Sequence, residues 1–341
     1  MVLSRIHLST VVRKYCAKFQ SLPTPIPGKT NEISARPVIA LTPSLNDTYL
    51  NPSRIQYLKQ LAPSTVSYST SLFLETSYAN HENPYYSTLH AQIPRHQSHS
   101  HTKHWLKSVN SLLTFDPQPD ITDITPILSL YAQFALINPT MYAEFKLDLE
   151  SLLVLRWWEF ARNELYSAFD RSLCMILVAH SVLDIRISQE NWKLWCVIAG
   201  QARTWRNEYI ARVFDAACRL EMKLESEILR KFCGIFFLKL DEDMSAELFS
   251  QYLTSGRKLG MRFLPKSEHK TQLYLATARE EDKRVFVLHF VKILNELKYW
   301  RCETIDDAVY KRWCRLFEEC FESEFFTIQV LSLSVKLWSQ F

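Results

Sequence analysis

The sequence predicts an all-α fold, an α-solenoid of stacked helical hairpins with a period of about 38 residues behind an irregular N-terminal arm. Three observations predict it. Leu136, Leu183, Leu220, Leu259, Leu297 and Leu337 recur at intervals of 47, 37, 39, 38 and 40 residues. Six positions before each anchor the residue is apolar in every copy: Leu130, Leu177, Phe214, Leu253, Val291 and Leu331. The chain has only five glycines in 341 residues, and beyond Leu128 its only prolines are Pro139 and Pro265. Strand turns and phosphate loops require more glycine, and helix interiors exclude proline.

Taken from its start, residues 1–31 carry Arg5, Arg13, Lys14, Lys18 and Lys29 and no carboxylate before Glu32. Hydroxyls (Ser4, Ser9, Thr10) and apolar residues (Val2, Leu3, Ile6, Val11, Val12) alternate with them. That composition resembles a mitochondrial presequence, which places the expected destination in the matrix. Residues 32–104 are rich in Ser, Thr, Pro, Asn, Tyr and His without a helical period. They are expected to form a mostly irregular arm with a short helix at Ser53–Leu61.

The repeat array occupies 105–341. Nine positions before the anchors stand Ile127, Cys174, Ala211, Ser250, Leu288 and Ile328, so the offsets of nine, six and zero share one helix face. Four before the anchor the first four copies carry a small residue (Ala132, Ala179, Ala216, Ser255), which lets a neighbouring helix approach. Four after it, Ile187, Leu224 and Phe263 agree. A short break then leads into a second apolar stretch, as in Asn191–Gly200 and Glu227–Leu238. Each copy is therefore a two-helix hairpin that must stack to bury its apolar face. Pro139 and Pro265 follow their anchors closely, where the hairpin turn is expected.

The polar side of the first helix is the candidate binding surface. Eight, five and one before the anchor, the later copies carry Arg212, Asp215 and Arg219; Gln251, Thr254 and Lys258; His289, Lys292 and Glu296; Gln329, Ser332 and Lys336. Equivalent polar side chains, one set per repeat, suit a reader of one base per repeat. They equally suit a solvated face. Arg212, Arg219, Lys258, Lys292 and Lys336 are the candidate RNA-binding residues, expected along one wall. Copies one and two carry apolar residues there instead (Leu128, Tyr131, Ala135; Met175, Val178, Val182), so that end is expected to be covered by the arm or by another protein. The formal charge is only +4, and carboxylates interleave with the basic clusters.

Chemistry-bearing motifs are scarce. The sequence lacks GxGxxG, GxxxxGK[ST], GxSxG and HExxH, so no enzyme, cofactor or small-molecule substrate is expected. His96, His99, His101 and His104 are read as a biased, solvated linker rather than a metal site. The eight cysteines form no CxxC pair and are expected as reduced core residues. Trp157, Trp158, Trp192 and Trp195 lie in apolar stretches and are expected in the core. Glu280–Asp282 and Asp241–Asp243 are expected as solvated helix caps. No run reaches membrane-span length.

On the period of 37–40 and on blocks such as Ile176–Ile187 (ILVAHSVLDIRI) and Leu128–Asn138 (LSLYAQFALIN), residues 120–341 resemble the heptatricopeptide and octotricopeptide repeat proteins. That class includes the FAST kinase-like organelle proteins. The resemblance implies a role in organelle RNA metabolism: binding single-stranded RNA or ribosomal RNA in processing, stability or ribosome assembly. The family's small-residue–Leu–Gly signature is kept only as Leu259–Gly260. The nuclease-like RAP domain is expected to be missing, because the sixth anchor lies four residues from the end. The alternative is a protein-binding helical scaffold, for instance a mitochondrial ribosome component meeting ribosomal proteins. A continuous positive wall favours RNA; mixed signs or an apolar trough favour the scaffold.

Overall fold

The computed structural model describes residues 73–74, 85–94, 99–115, 121–149, 157–158, 170–202, 204–241, 243–280, 283–300, 302 and 304–322. All lie in the unit Leu45–Phe341. Among the described residues every regular element is a helix: α1 (Tyr85–Ala91), α2 (His99–Phe115), α3 (Ile121–Ile137), α4 (Pro139–Leu149), α5 (Asp170–Leu183), α6 (Gln189–Gln201), α7 (Asn207–Arg219), α8 (Ser226–Leu238), α9 (Ala246–Lys258), α10 (Pro265–Thr277), α11 (Lys283–Tyr299) and α12 (Asp307–Glu322). The expected presequence, the helix at 53–61 and the sixth copy with Leu337 and Lys336 lie outside the described residues.

The anchor leucines of copies one to five end or nearly end α3, α5, α7, α9 and α11, the first helices of successive hairpins. These five pack in order, α3 on α5, α5 on α7, α7 on α9 and α9 on α11. The packing follows from the repeated positions. Leu130, Leu177, Phe214, Leu253 and Val291 are wholly shielded from solvent, and Ala132, Ala179, Ala216 and Ser255 are buried where the helices meet. The second helices also touch in part, α6 on α8 and α10 on α12.

Three first helices stop by the same device. The residue after the anchor takes a left-handed conformation: Asp184 (φ 50°), Glu221 (φ 56°) and Gly260 (φ 80°). The next amide then donates five residues back, from Ile185 to His180 O, Met222 to Ala217 O and Met261 to Gly256 O, at 2.8–3.0 Å. This is the Schellman stop, which satisfies carbonyls that the helix end leaves open. Cys302 makes the equivalent bond to Leu297 O at 3.1 Å. Gly256 has a packing reason of its own: a Cβ there would lie 2.9 Å from the Met261 thioether.

Second helices begin and end differently. Pro139 and Pro265 open α4 and α10, where a missing amide costs nothing. Ser188 caps α6 by accepting from the Asn191 amide at 3.2 Å. The ends of α6 and α10 are closed by the next second helix, one hairpin on. Lys231, the sixth residue of α8, donates to Gly200 O (2.6 Å) and Ala202 O (2.8 Å) at the end of α6. Arg312, the sixth residue of α12, donates to Leu275 O (2.9 Å) and to Ala278 O at the end of α10. A cation at a helix C-terminus meets both the open carbonyls and the negative end of the dipole. Side chains of second helices also reach the following hairpin's turn: Tyr142 Oη donates to Leu183 O (2.7 Å), Trp192 Nε1 to Lys223 O (3.0 Å) and Gln272 Nε2 to Thr304 O (3.0 Å).

Two local expectations change. The histidine-rich stretch does not continue as linker to 104: His99, His101 and His104 lie in the opening turns of α2, because Trp105, Leu106 and Val109 give that segment a buried helical face. Glu280 is not a solvated cap. It is half-buried and accepts from Arg312 (2.9 Å) and Arg315 (2.6 Å). The tryptophan expectation holds, with Trp157, Trp158, Trp192 and Trp195 all buried.

The left-handed stops give a direct test. Glu221→Gly relieves a strained backbone and is expected to stabilise the fold by about 0.5–1 kcal/mol, while Gly260→Ala is expected to destabilise it by about 1 kcal/mol. Urea denaturation checks both; a destabilised Glu221→Gly variant with an unchanged Gly260→Ala variant would show that the stops carry no strain.

Candidate nucleic-acid interface

The stripe residues separate into buried and open groups. Arg212 on α7 is buried: its guanidinium bonds Glu208 at 3.0 Å and lies 4.6 Å over the ring of Phe73. Arg219, one helical turn past Asp215, is exposed and pairs with it at 2.8 Å. Lys258 on α9 and Lys292 on α11 are exposed. Lys292 reaches solvent, yet the protein mass around it lowers its pKa from the usual lysine value. The structure therefore brings an exposed cation to each of three consecutive first helices, and does not bring Arg212 to the same surface.

Other stripe positions join neighbouring helices. Thr254 Oγ1 on α9 donates to Glu296 Oε1 on α11 at 3.1 Å, and Arg257 Nε donates to Glu296 Oε2 at 2.7 Å. Arg257 also lies 4.3 Å over the Tyr299 ring. Glu296 is nearly enclosed, and the bond it accepts raises the pKa of Arg257. Ser250 on α9 meets His289 Nδ1 on α11 at 2.6 Å. Signs along the stripe are consequently mixed.

The apolar end of the stripe is covered from within the chain. Phe73 and Leu74 are buried; Ser129 Oγ on α3 donates to Leu74 O, and Phe73 packs 5.7 Å from Tyr209 on α7. Trp105 of α2 packs on Tyr131 and Phe134 of α3 and donates to Leu89 O at 2.9 Å. Leu128, Tyr131 and Ala135, the apolar stripe of copy one, are accordingly shielded.

A second set of cations sits at the hairpin turns. Arg186, Lys223 and Arg262 each stand three residues after an anchor, two after a left-handed stop, and all three are exposed. None forms an ion pair among the described residues. Their register is legible in the sequence as anchor plus three, a position that the apolar pattern does not include and that periodicity therefore overlooks.

Several groups able to do acid–base or nucleophilic work are buried and hydrogen-bonded. His180 is fixed as the Nδ1–H tautomer, donating to Ile185 O at 2.9 Å while Nε2 accepts from Trp158 Nε1 at 3.2 Å. Ser250 gives its proton to Glu247 O at 2.9 Å, so its oxygen accepts from His289. Burial pushes the thiols of Cys196 and Cys302 up to about 12, and each stays protonated. Among the described residues no group of three or more His, Cys, Asp or Glu side chains is arranged to hold a metal ion. None of the described helices is long and apolar enough to cross a membrane. Helices α6 and α8 flank an open groove of about 710 Å³ lined by Val197, Gly200, Lys231, Gly234, Ile235 and Leu238.

No protein-family model matches the chain, and no curated protein matches it either.

The two buried histidines set an acid limit. Burial, aided for His289 by Lys292, holds His180 down at about 4 and His289 at about 3. In the unfolded chain both titrate near 6.5, so as pH falls the unfolded state takes up protons first. The stability gained by keeping these rings neutral is complete above about 6.5 and is lost as pH falls towards about 4. Urea midpoints measured from neutral to acid pH are expected to fall over that window. His289→Asn, which keeps a hydrogen bond without titrating, should shallow the decline; an identical slope in the variant would contradict the assignment.

Proposed function

We propose that this chain is a non-catalytic α-solenoid that binds single-stranded RNA or ribosomal RNA in the mitochondrial matrix, acting in transcript or ribosomal RNA processing, stability or ribosome assembly. The observation that supports RNA binding is the exposed cation on each of three consecutive first helices, Arg219, Lys258 and Lys292. In a stacked array such positions recur at one helix step of about 8–10 Å. Phosphates provide the complementary charges, and the attraction weakens as salt displaces it. The solenoid reading rests on the ordered packing of α3, α5, α7, α9 and α11 and on the shared stops at Asp184, Glu221 and Gly260. The matrix setting rests on the acid-free basic composition of residues 1–31.

A second reading, a protein-binding scaffold such as a mitochondrial ribosome component, has its own support. Arg212 is covered by Phe73, and Glu296 introduces a carboxylate between Arg257 and Thr254. Mixed signs of that kind suit a protein partner better than a polyanion.

The test uses the full chain and a labelled uridine homopolymer in a salt series. Salt-sensitive binding is expected, reduced at least tenfold by Arg219→Glu, Lys258→Glu and Lys292→Glu together. Absence of binding at low salt by the folded wild-type chain would overturn the RNA reading and leave the scaffold.

A further inference from the structure

We propose that Arg186, Lys223 and Arg262 form a phosphate-contacting row along the turn edge of the hairpins, a second binding site beside the first-helix stripe. The proposal rests on the RNA-binding reading above and supplies it with a path for the backbone of the nucleic acid.

The register comes from the backbone. Leu183, Leu220 and Leu259 close their helices, and the residue after each is left-handed. The next amide returns to the carbonyl five residues back in all three turns. The chain therefore leaves each helix in the same way, and the residue three past the anchor occupies the same place in each turn. Because α5, α7 and α9 pack side by side, the three cations fall on one edge, one per hairpin. All three are exposed and none is neutralised by an ion pair among the described residues. This distinguishes them from Arg212, Arg257 and Arg312, whose guanidinium groups are used inside the fold.

The edge is not uniformly positive. Asp184 and Glu221 precede Arg186 and Lys223 by two residues, and both are exposed. At the third turn Gly260 takes that place, and no carboxylate occurs between Glu247 and Glu268. There Arg262 is joined by exposed Lys258 and Lys266, with Leu264 standing 60% exposed between the last two cations. The row thus strengthens towards the α9–α10 turn, where it meets Lys258 of the first-helix set. A regular line of single cations suits a ligand whose own charges repeat along a line, which a phosphodiester strand provides.

Alanine at all three positions removes three cations from surface turns without touching the core, and an unchanged thermal midpoint verifies the fold. In the full chain, with the same uridine homopolymer, the slope of log K against log salt is expected to fall by about 2 in magnitude, at about 0.7 per lost contact to a single strand. Arg262→Ala is expected to cost more affinity than Arg186→Ala. Arg186→Lys with Arg262→Lys should keep the wild-type slope, because phosphate contact by charge survives that exchange. A wild-type slope in the triple alanine variant overturns the turn-edge site while leaving RNA binding by the stripe intact. Failure of the wild-type chain itself to bind overturns both.

Discussion

The first helices α3, α5, α7, α9 and α11 bury apolar residues on one another in order, and Phe214–Phe232, Phe249–Tyr274 and Phe290–Trp313 join three of them to their own hairpin partners; the remaining structure follows from that packing. Leu177 and Phe214 are dry where α5, α7 and α9 lie side by side, and Ala179, Ala216 and Ser255 are small where those helices approach. A hairpin packed this way relies on its neighbours for much of its burial. Its turns must also be uniform, because a shift in one turn would misplace the next helix. The left-handed stops at Asp184, Glu221 and Gly260 provide that uniformity, and two of the three accept backbone strain without glycine to do so. Loss of a buried leucine such as Leu253 would cost about 2–5 kcal/mol and would fall on two interfaces together.

The same constraint decides which polar residues are available to a ligand. A side chain beside the first-helix seam is drawn into joining helices, as Thr254, Arg257 and Glu296 are. Lys258, Arg262 and Lys266, at the end of α9, in the turn and at the start of α10, are exposed, and the positive region concentrates there. The second helices use their cations differently: Lys231 and Arg312 close the ends of α6 and α10. Counting basic residues overstates the charge offered to a partner, since several serve carbonyls or carboxylates of the same chain.

Much of the helical layout was legible in the sequence because burial imposes periodicity. In the five described copies the apolar residue six before the anchor is buried, as is the small residue four before it in the first four, while the anchors Leu136, Leu220 and Leu259 are only half-buried. The polar stripe was less legible. Arg212 and Lys258 both belong to the polar stripe, at different offsets from their anchors, yet Phe73, more than a hundred residues upstream, covers the first while the second is exposed. A contact between distant segments leaves no periodic trace. Glu280 and Lys231 escaped for the same reason, since their partners lie on other hairpins. The turn cations were hidden in a different way. Arg186, Lys223 and Arg262 are in register, but the apolar pattern that reveals the repeat says nothing about exposed positions.

Hydrogen exchange of a single core variant tests the stacked array most directly. Phe214→Ala opens a cavity at the centre of α7, whose neighbours are α5, α8 and α9. Stacking by nearest neighbours predicts the largest loss of amide protection in α5, α7, α8 and α9, fading through α11 to near the wild-type level in α12. An equal loss in every helix, α12 included, would mean that the chain unfolds as one cooperative core, and the hairpin array would be the wrong description of what holds it together.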